Sequence, residues 1–397
     1  MEDLVKTILQ KMSTVKKPQQ VFMASLFSVF MVFQGKATFK NMSRYCDMSE
    51  KRFGRWFRRR FNFSEFNLKI MDAHFPEKNE RIAVIDASFI KKAGKKTEGL
   101  AWFYNGCAGE AQKGLEASMI CVVDLKLNTA HAIEAEQTID KENLSRVDLY
   151  ANQVIRLAPM LLEKNIRHIA ADAYYSKVKF IAPVVKSGLH LVGKLRVDAD
   201  LMWLYEGENK GRGRPKKYEG KVDFNKDLHR FDKIETLKDG VEVYASTVFS
   251  RRFSCPIKLV MMRWYRNGKL GMALLYSTDV NLEASVLVKY YKARFQIEFV
   301  FRDAKQFTGF GHCQSCRKEA INMHLNASLT TLNLLKIEDR SYKNSEEQTV
   351  ISIASWKRKK YNQHFIKVFL SNLGFSLKSE KISEAYEASS NYGIIAA

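Results

Sequence analysis

No apolar run in this chain is long enough to cross a membrane. The first, Val21 to Phe33, has thirteen residues and is broken by Ser25 and Ser28, whereas a spanning helix needs about twenty. It reads as a buried helix of an N-terminal helical region. No secretory signal opens the chain, since Met1-Glu2-Asp3 is acidic. The six cysteines (46, 107, 121, 255, 313 and 316) are scattered through strand-like or helical text. That excludes a disulfide framework and predicts reduced thiols in a cytoplasmic protein. No internal repeat is visible. Acidic residues are the main shortfall: 43 Asp and Glu face 65 Lys and Arg, a formal net charge of +22. Such an excess repels itself and calls for a polyanionic partner, nucleic acid before an anionic membrane surface. The 397 residues, 46% hydrophobic, allow two or three domains with a substantial core.

Residues 1–75 read as a helical, basic domain. Ala37 to Cys46, then Asp47-Met48-Ser49, then Glu50 to Phe61 has the outline of a helix-turn-helix. Ser49 suits the N-cap and Glu50 the first turn. The second helix carries Lys51, Arg52, Arg55, Arg58, Arg59 and Arg60, interleaved with Phe53, Trp56, Phe57 and Phe61 at helical spacing. One face can therefore pack while the other meets DNA phosphates. A solvated charged helix is the alternative.

From Arg81 the texture changes to α/β. Ile82 to Ile85 is a short apolar strand ending in Asp86. Ala117 to Leu125 and Thr129 to Gln137 are two further strands around a turn at Lys126–Asn128, together suggesting an antiparallel meander. Asn143 to Lys164 is an amphipathic helix. Ile166 to Ala171 is a strand ending in Asp172, Ser176 to Lys186 a helix, and Leu189 to Leu195 a strand. Three strands, helix, strand, helix, strand is the order of a ribonuclease-H-like mixed sheet. Residues 198–280 interrupt it with a β-rich insertion. This opens on the basic stretch Lys210 to Lys217, with Lys216 and Lys217 as DNA-facing candidates, and continues in strands at Val241–Ser250, Ile257–Arg266 and Leu270–Ser277. Glu283 to about Thr308 is predicted as one long helix. From about 317 the chain reads as helical and polar, with a basic run at Lys357–Lys360. The expected domains are 1–75, 80–335 and 336–397.

Phosphodiester cleavage with two metal ions needs hard oxygen ligands held close together. Asp86 and Asp172 each end an apolar strand and precede an alanine. Taken singly, either could merely close its strand. Asp124 also follows an apolar run and reads as a turn residue. On the predicted long helix, at about 100° per residue, Tyr291 and Lys305 fall within about 20° of Glu298, and Arg294 and Arg302 within about 40° on either side. Tyr290, Ala293, Ile297, Val300, Phe301 and Ala304 form a neighbouring apolar face. The polar stripe suits an active-site acid between phosphate-gripping cations. It equally suits i,i+4 pairing of Glu298 with Arg294 and Arg302. His312-Cys313-x2-Cys316 with His324 is a weak zinc pattern.

The spacing Tyr291-x2-Arg294-x3-Glu298-x6-Lys305 resembles the Y-R-E-K signature of bacterial insertion-sequence-four-type transposases. Ile85-Asp86, Ala171-Asp172-Ala173 and Asn333-Leu334-Leu335 extend the resemblance over about 80–335. It implies a DDE enzyme with a ribonuclease-H-like core and a β-rich insertion. It further implies Asp86, Asp172 and Glu298 as catalytic metal ligands for two Mg²⁺, with Mn²⁺ a substitute. Tyr291 and Arg294 would approach the terminal phosphate and Lys305 the DNA end. Trp203 or Trp264 would be candidates to stack on a flipped base, although a core role suits each. Cut-and-paste movement at terminal inverted repeats and into target DNA is expected, often through a hairpin, by a homodimer on double-stranded DNA in a bacterial, nucleoid-associated setting. The resemblance implies ordinary polar residues, not zinc ligands, at the positions of His312, Cys313, Cys316 and His324. A non-catalytic DNA-binding repressor and a structure-specific nuclease are the alternatives.

Overall fold

The computed structural model describes residues 1–75, 79–208, 211, 215–342 and 351–395. In chain order, five helices come first: α1 (Glu2–Gln10), α2 (Lys17–Val32), α3 (Phe39–Met42), α4 (Glu50–Trp56) and α5 (Phe63–His74). Then come β1 (Arg81–Lys91), β2 (Ala101–Asn105), β3 (Glu110–Asp124), β4 (Thr129–Gln137), α6 (Arg146–Glu163), β5 (His168–Ala170), α7 (Val178–Lys186) and β6 (His190–Leu195). The inserted region holds β7 (Leu201–Leu204), β8 (Tyr218–Lys221), β9 (Asp232–Thr236), β10 (Glu242–Ser250), β11 (Cys255–Arg266) and β12 (Lys269–Ser277). The chain closes with α8 (Ala284–Ala293), α9 (Gln296–Phe307), α10 (Lys318–Tyr342), α11 (Ile353–Asn372) and α12 (Glu380–Ser390). It forms two compact units: Met1–Glu80 with Ala87–Ile139 and Ile297–Ala397, and Arg81–Asp86 with Asp140–Gln296. No described helix is long and apolar enough to cross a membrane.

In the unit holding Asp140–Gln296, the first half of β1 pairs in parallel with β5, and β5 with β6. β12, β11 and β10 follow antiparallel, and β9 and β7 share the far edge of β10. β8 pairs with β7. Ile82, Ala83, Val84 and Ile85 are fully buried, as expected of a parallel strand covered on both faces. Helix α6 starts with a capping box, Ser145 donating from both backbone N–H and hydroxyl to the Asp148 carboxylate. It packs on α7, and α8 packs on β5, β6, β11 and β12.

In the other unit, β2, β3 and the second half of β1 lie side by side, with β4 paired to β3. β3 thus lies beside β1 and β4 as the predicted meander has them, and the correction is an added strand, β2, which comes between β1 and β3 in the chain and pairs with β3 in the sheet. Gly114 of β3 is where the backbones approach closely: a Cβ there would come within 2.6 Å of the Ile90 carbonyl oxygen. Helix α2 is buried through Phe22, Met23, Leu26, Phe27 and Phe30, as its apolar run predicts.

Helix α10 corrects the reading of a polar C-terminal region. It runs unbroken across 335, where the sequence suggested a boundary, and is buried from Ala320 to Arg340 apart from Asn322. Its polar residues satisfy the outer edge of β4. Asn326 accepts from Ala135 N–H and donates to the Ala135 carbonyl, at 2.8 Å each. Asn333 does the same at Ala132, at 2.9 and 2.7 Å. Lys336 donates to the Ala130 carbonyl and Arg340 to the Thr129 hydroxyl. Two lysines of the 357–360 basic run are likewise structural. Lys357 donates to the Phe30 and Phe33 carbonyls at the end of α2, and Lys360 to Glu338.

His324, on α10, is fully buried, and its Nε2 bonds the Gly309 carbonyl at 2.7 Å. Its Nδ1 is buried without a partner, so a second ring proton would have no acceptor. Burial accordingly holds the imidazole down to about 4. A histidine with a lowered folded-state pKa stabilises fully above its unfolded value, about 6.5, and loses that contribution as pH falls toward 4. The urea midpoint should drop over that window by the equivalent of about 3 kcal/mol, and His324→Phe should flatten the drop. An unchanged pH profile in that variant would refute the assignment.

Candidate active site

Asp86 and Asp172 are brought together by strand register. β1 and β5 pair Ala83 with Ile169 and Val84 with Ala170. Carried forward two residues, the same offset sets Asp86 level with Asp172. Asp172 is still extended (φ −75°, ψ 178°), and the preceding Ala171 N–H still donates to Val192 on β6. Neighbouring strands lie about 4.8 Å apart. The register therefore sets the two acids opposite one another at the carboxyl end of the parallel pairing, where open α/β sheets bind ligands, with Asp172 just past β5 and Asp86 midway along β1, which runs on to Lys91. Asp172 Oδ1 accepts from Tyr174 N–H at 2.8 Å and caps a short 3₁₀ turn. Asp86 Oδ2 is 3.8 Å from Arg294 Nη1, with those side chains 25% and 10% exposed. The guanidinium offsets charge where a second carboxylate is adjacent.

The predicted single helix from Glu283 is two. Helix α8 stops at Ala293 and α9 starts at Gln296. Between them Arg294 N–H donates to Tyr291 and Phe295 N–H to Lys292, both at 3.2 Å. These i→i−3 bonds tighten the turn. The stripe of about 100° per residue therefore does not carry across the junction. On one side Tyr291 and Arg294 stay together, with the guanidinium 5.9 Å from the Tyr291 ring and 4.6 Å from that of Phe295. The apolar residues predicted to pack are buried in each helix, Tyr290 and Ala293 in α8 and Ile297, Val300, Phe301 and Ala304 in α9.

In the other unit, α9 carries Glu298, Arg302 and Lys305, all exposed. Seven residues is close to two helical turns, so Glu298 and Lys305 share a face within α9. Lys305 Nζ donates to the Ser88 hydroxyl at 2.8 Å, and desolvation lowers the amine's pKa. Ser88, two residues past Asp86, was not singled out from the sequence; only its place in β1 marks it. Arg302 Nε donates to Asp303 at 2.9 Å and its guanidinium covers the Phe299 ring at 4.9 Å. Among the described residues, no three His, Cys, Asp or Glu side chains are grouped to hold a metal ion.

The remaining candidates divide between surface and core. Arg55, Arg58 and Arg59 are exposed, and Arg59 lies over the Trp56 ring at 4.5 Å. Beneath them Phe53 and Phe57 are fully buried and Trp56 stacks on Phe22 at 5.1 Å. Ser49 caps α4 by accepting from Arg52 N–H, as expected, although α4 ends at Trp56 and not at Phe61. Lys216 and Lys217 are exposed, Lys216 lying over the Tyr205 ring at 4.7 Å. Lys210, Arg212 and Arg214 of the same basic stretch lie outside the described residues. Trp203 is a core residue, donating to Asp227 at 2.8 Å and packed on Phe231 at 5.1 Å. Trp264 lies across Gly271, where any Cβ would collide with its indole. Asp124 closes the β3–β4 turn, accepting from Asn79 and from Leu127 N–H. His312 Nδ1 accepts from Ala37 N–H. None of the six cysteines is in a disulfide.

A family profile described as the transposase DDE domain matches residues 77–334. Among solved structures, the cryo-EM structure of a piggyBac transposase synaptic complex with hairpin DNA is similar at a TM-score of 0.43 and 11% identity, covering 97% of this chain and 78% of that one. Likeness at that level carries no functional weight. None of the curated proteins matches the chain.

Proposed function

Because the chain belongs to the transposase DDE domain family, we propose that it binds terminal inverted repeats and moves DNA by Mg²⁺-dependent cleavage and strand transfer. The observation that supports this reading is the parallel register of β1 and β5, which, carried forward two residues, sets Asp86 level with Asp172. Two hard-oxygen donors that close repel each other and suit Mg²⁺, which favours carboxylates and water. Glu298 is proposed as the third carboxylate from its spacing in the Tyr291–Lys305 stretch. When bound, two divalent cations would supply Lewis acidity and offset the negative charge of carboxylates and phosphate. A ribonuclease-H-like core is supported by the parallel β1, β5 and β6, with the antiparallel β3 and β4 preceding β5 in the chain.

The chain's own residues would position the DNA. Arg294 now faces Asp86; a phosphate oxygen could take that place, and a guanidinium grips phosphate bidentately. Tyr291 beside it offers a hydroxyl to the same phosphate. Lys305 and Arg302, both on α9, would contact the DNA end. Arg55, Arg58, Arg59, Lys216 and Lys217 would hold duplex backbone through charge. Water would displace the 3′ oxygen at one strand's cut, and the freed 3′-hydroxyl would then displace an oxygen at the opposite strand or in target DNA. Both element ends must be held at once, so a homodimer on DNA is part of the proposal.

The test is incubation of the full-length protein with DNA flanking its own reading frame. With Mg²⁺, excision and joined products are expected. Cutting without joining would point to a structure-specific nuclease, and a mobility shift without cutting to a DNA-binding repressor.

A further inference from the structure

Strand β2 carries a feature that duplex binding does not use. Its burial alternates, with Phe103 1% exposed while Trp102 and Tyr104 are 64% and 65% exposed. Alternate residues of a strand share a face, so the two large rings stand on the outer side of a strand at the end of the sheet order. Register adds Lys113 opposite Trp102 and Ala111 opposite Tyr104 on that same face. Ala111, the residue paired with Tyr104, is small and exposed. Residues two apart on a strand are about 6.8 Å apart, twice the roughly 3.4 Å rise between bases along one strand. That separation admits one flat base between the rings.

The surroundings suit a polyanion. Lys91, at the end of β1, and Lys95 and Lys96, in the segment joining β1 to β2, are exposed, as is Lys113. The segment is anchored, with Glu98 N–H donating to the Cys316 carbonyl at 2.9 Å and Lys92 to that of Cys313. The turn joining β2 to β3 is held by Cys107 and Gly109 N–H groups bonding Asn105.

We infer that the outer face of the β2–β3 hairpin is a stacking platform for unpaired bases of single-stranded DNA, with Trp102 and Tyr104 as the stacking rings and Lys91, Lys95, Lys96 and Lys113 neutralising the backbone. Stacking on exposed aromatics within a basic surface is a sequence-tolerant way to hold a single strand. The inference deepens the reading above, since strands are unpaired beside a cut end.

The test uses full-length protein carrying Asp86→Asn, in EDTA, so that no cutting contributes. Binding of a ten-nucleotide oligo(dT) and of a blunt duplex is followed by fluorescence anisotropy. Trp102→Ala with Tyr104→Ala should weaken oligo(dT) binding at least tenfold and blunt-duplex binding less than twofold. Trp102→Phe with Tyr104→Phe should stay within threefold of the parent. Unchanged oligo(dT) affinity in the double alanine variant, or equal losses on both probes, would overturn the platform. A second measurement needs no alanine variant: oligo(dT) should quench tryptophan fluorescence in the parent and not in Trp102→Phe, and no difference between them refutes stacking. Failure of excision with oligo(dT) binding intact would sink the transposase reading alone; intact excision without aromatic-dependent binding would sink this one alone.

Discussion

Asp86→Asn and Asp172→Asn should each cut Mg²⁺-dependent DNA cleavage by more than about a thousandfold, the scale of losing one preorganised charge at a reacting centre. DNA affinity should change by less than about threefold, because phosphate contacts by the basic surface supply most of it. The substitutions are close to isosteric. In Asp172→Asn the Oδ1 that caps Tyr174 N–H is retained, so the 3₁₀ turn should persist. Single-turnover cleavage and a mobility shift, measured on the same preparations, decide the matter. Near-normal cutting by either variant would remove that residue from the site, and with it the pairing across β1 and β5. Glu298→Gln is the necessary third arm. Full activity there would leave Asp86 and Asp172 in place and send the search for the remaining acid elsewhere.

Asn333→Ala should be the most destabilising single change on α10. Its amide bonds both the N–H and the carbonyl of Ala132 and donates to the Asn67 side chain at 3.2 Å. Truncation leaves two buried backbone groups of β4 without partners, at about 1–3 kcal/mol each, so a total loss of roughly 2 to 6 kcal/mol is expected. Asn322→Ala, which removes one bond to Gln137 N–H at a half-buried position, should cost about 1 kcal/mol. Urea unfolding of both variants gives the comparison. Similar small losses in the two would mean that β4 is held by its pairing with β3 and not by the helix.

Strands with strong alternation or continuous apolar text were legible from the residues. β6, β10, β11 and β12 fall within two residues of their predicted limits at each end, because their β-branched and aromatic content leaves little choice. β2 was missed although Ala101 to Asn105 alternates; five residues between loops make a weak signal. The break at Arg294 left no trace, since positions 293–297 contain neither glycine nor proline, and tertiary packing sets the tightened turn. Polar text in α10 suggested solvent. Asparagine and lysine there pair with backbone some 190–206 residues away, which no local pattern reveals. The paired acids were half visible. Each closed an apolar run in the sequence, as Asp124 also did, but β1 continues past Asp86 to Lys91, and only the register between β1 and β5 sets the two acids level.

The seal along β4 also fixes an order of events during synthesis. The strand and its hairpin partner β3 are complete by residue 137, but the side chains that cover its free edge arrive between 322 and 340. At about 5–20 residues per second, the ribosome leaves that edge open for roughly 10 to 40 s. An open strand edge is a template for pairing with another chain. Products cut short before α10 should therefore accumulate as aggregates, while full-length chains escape once the helix emerges and lies down on the strand.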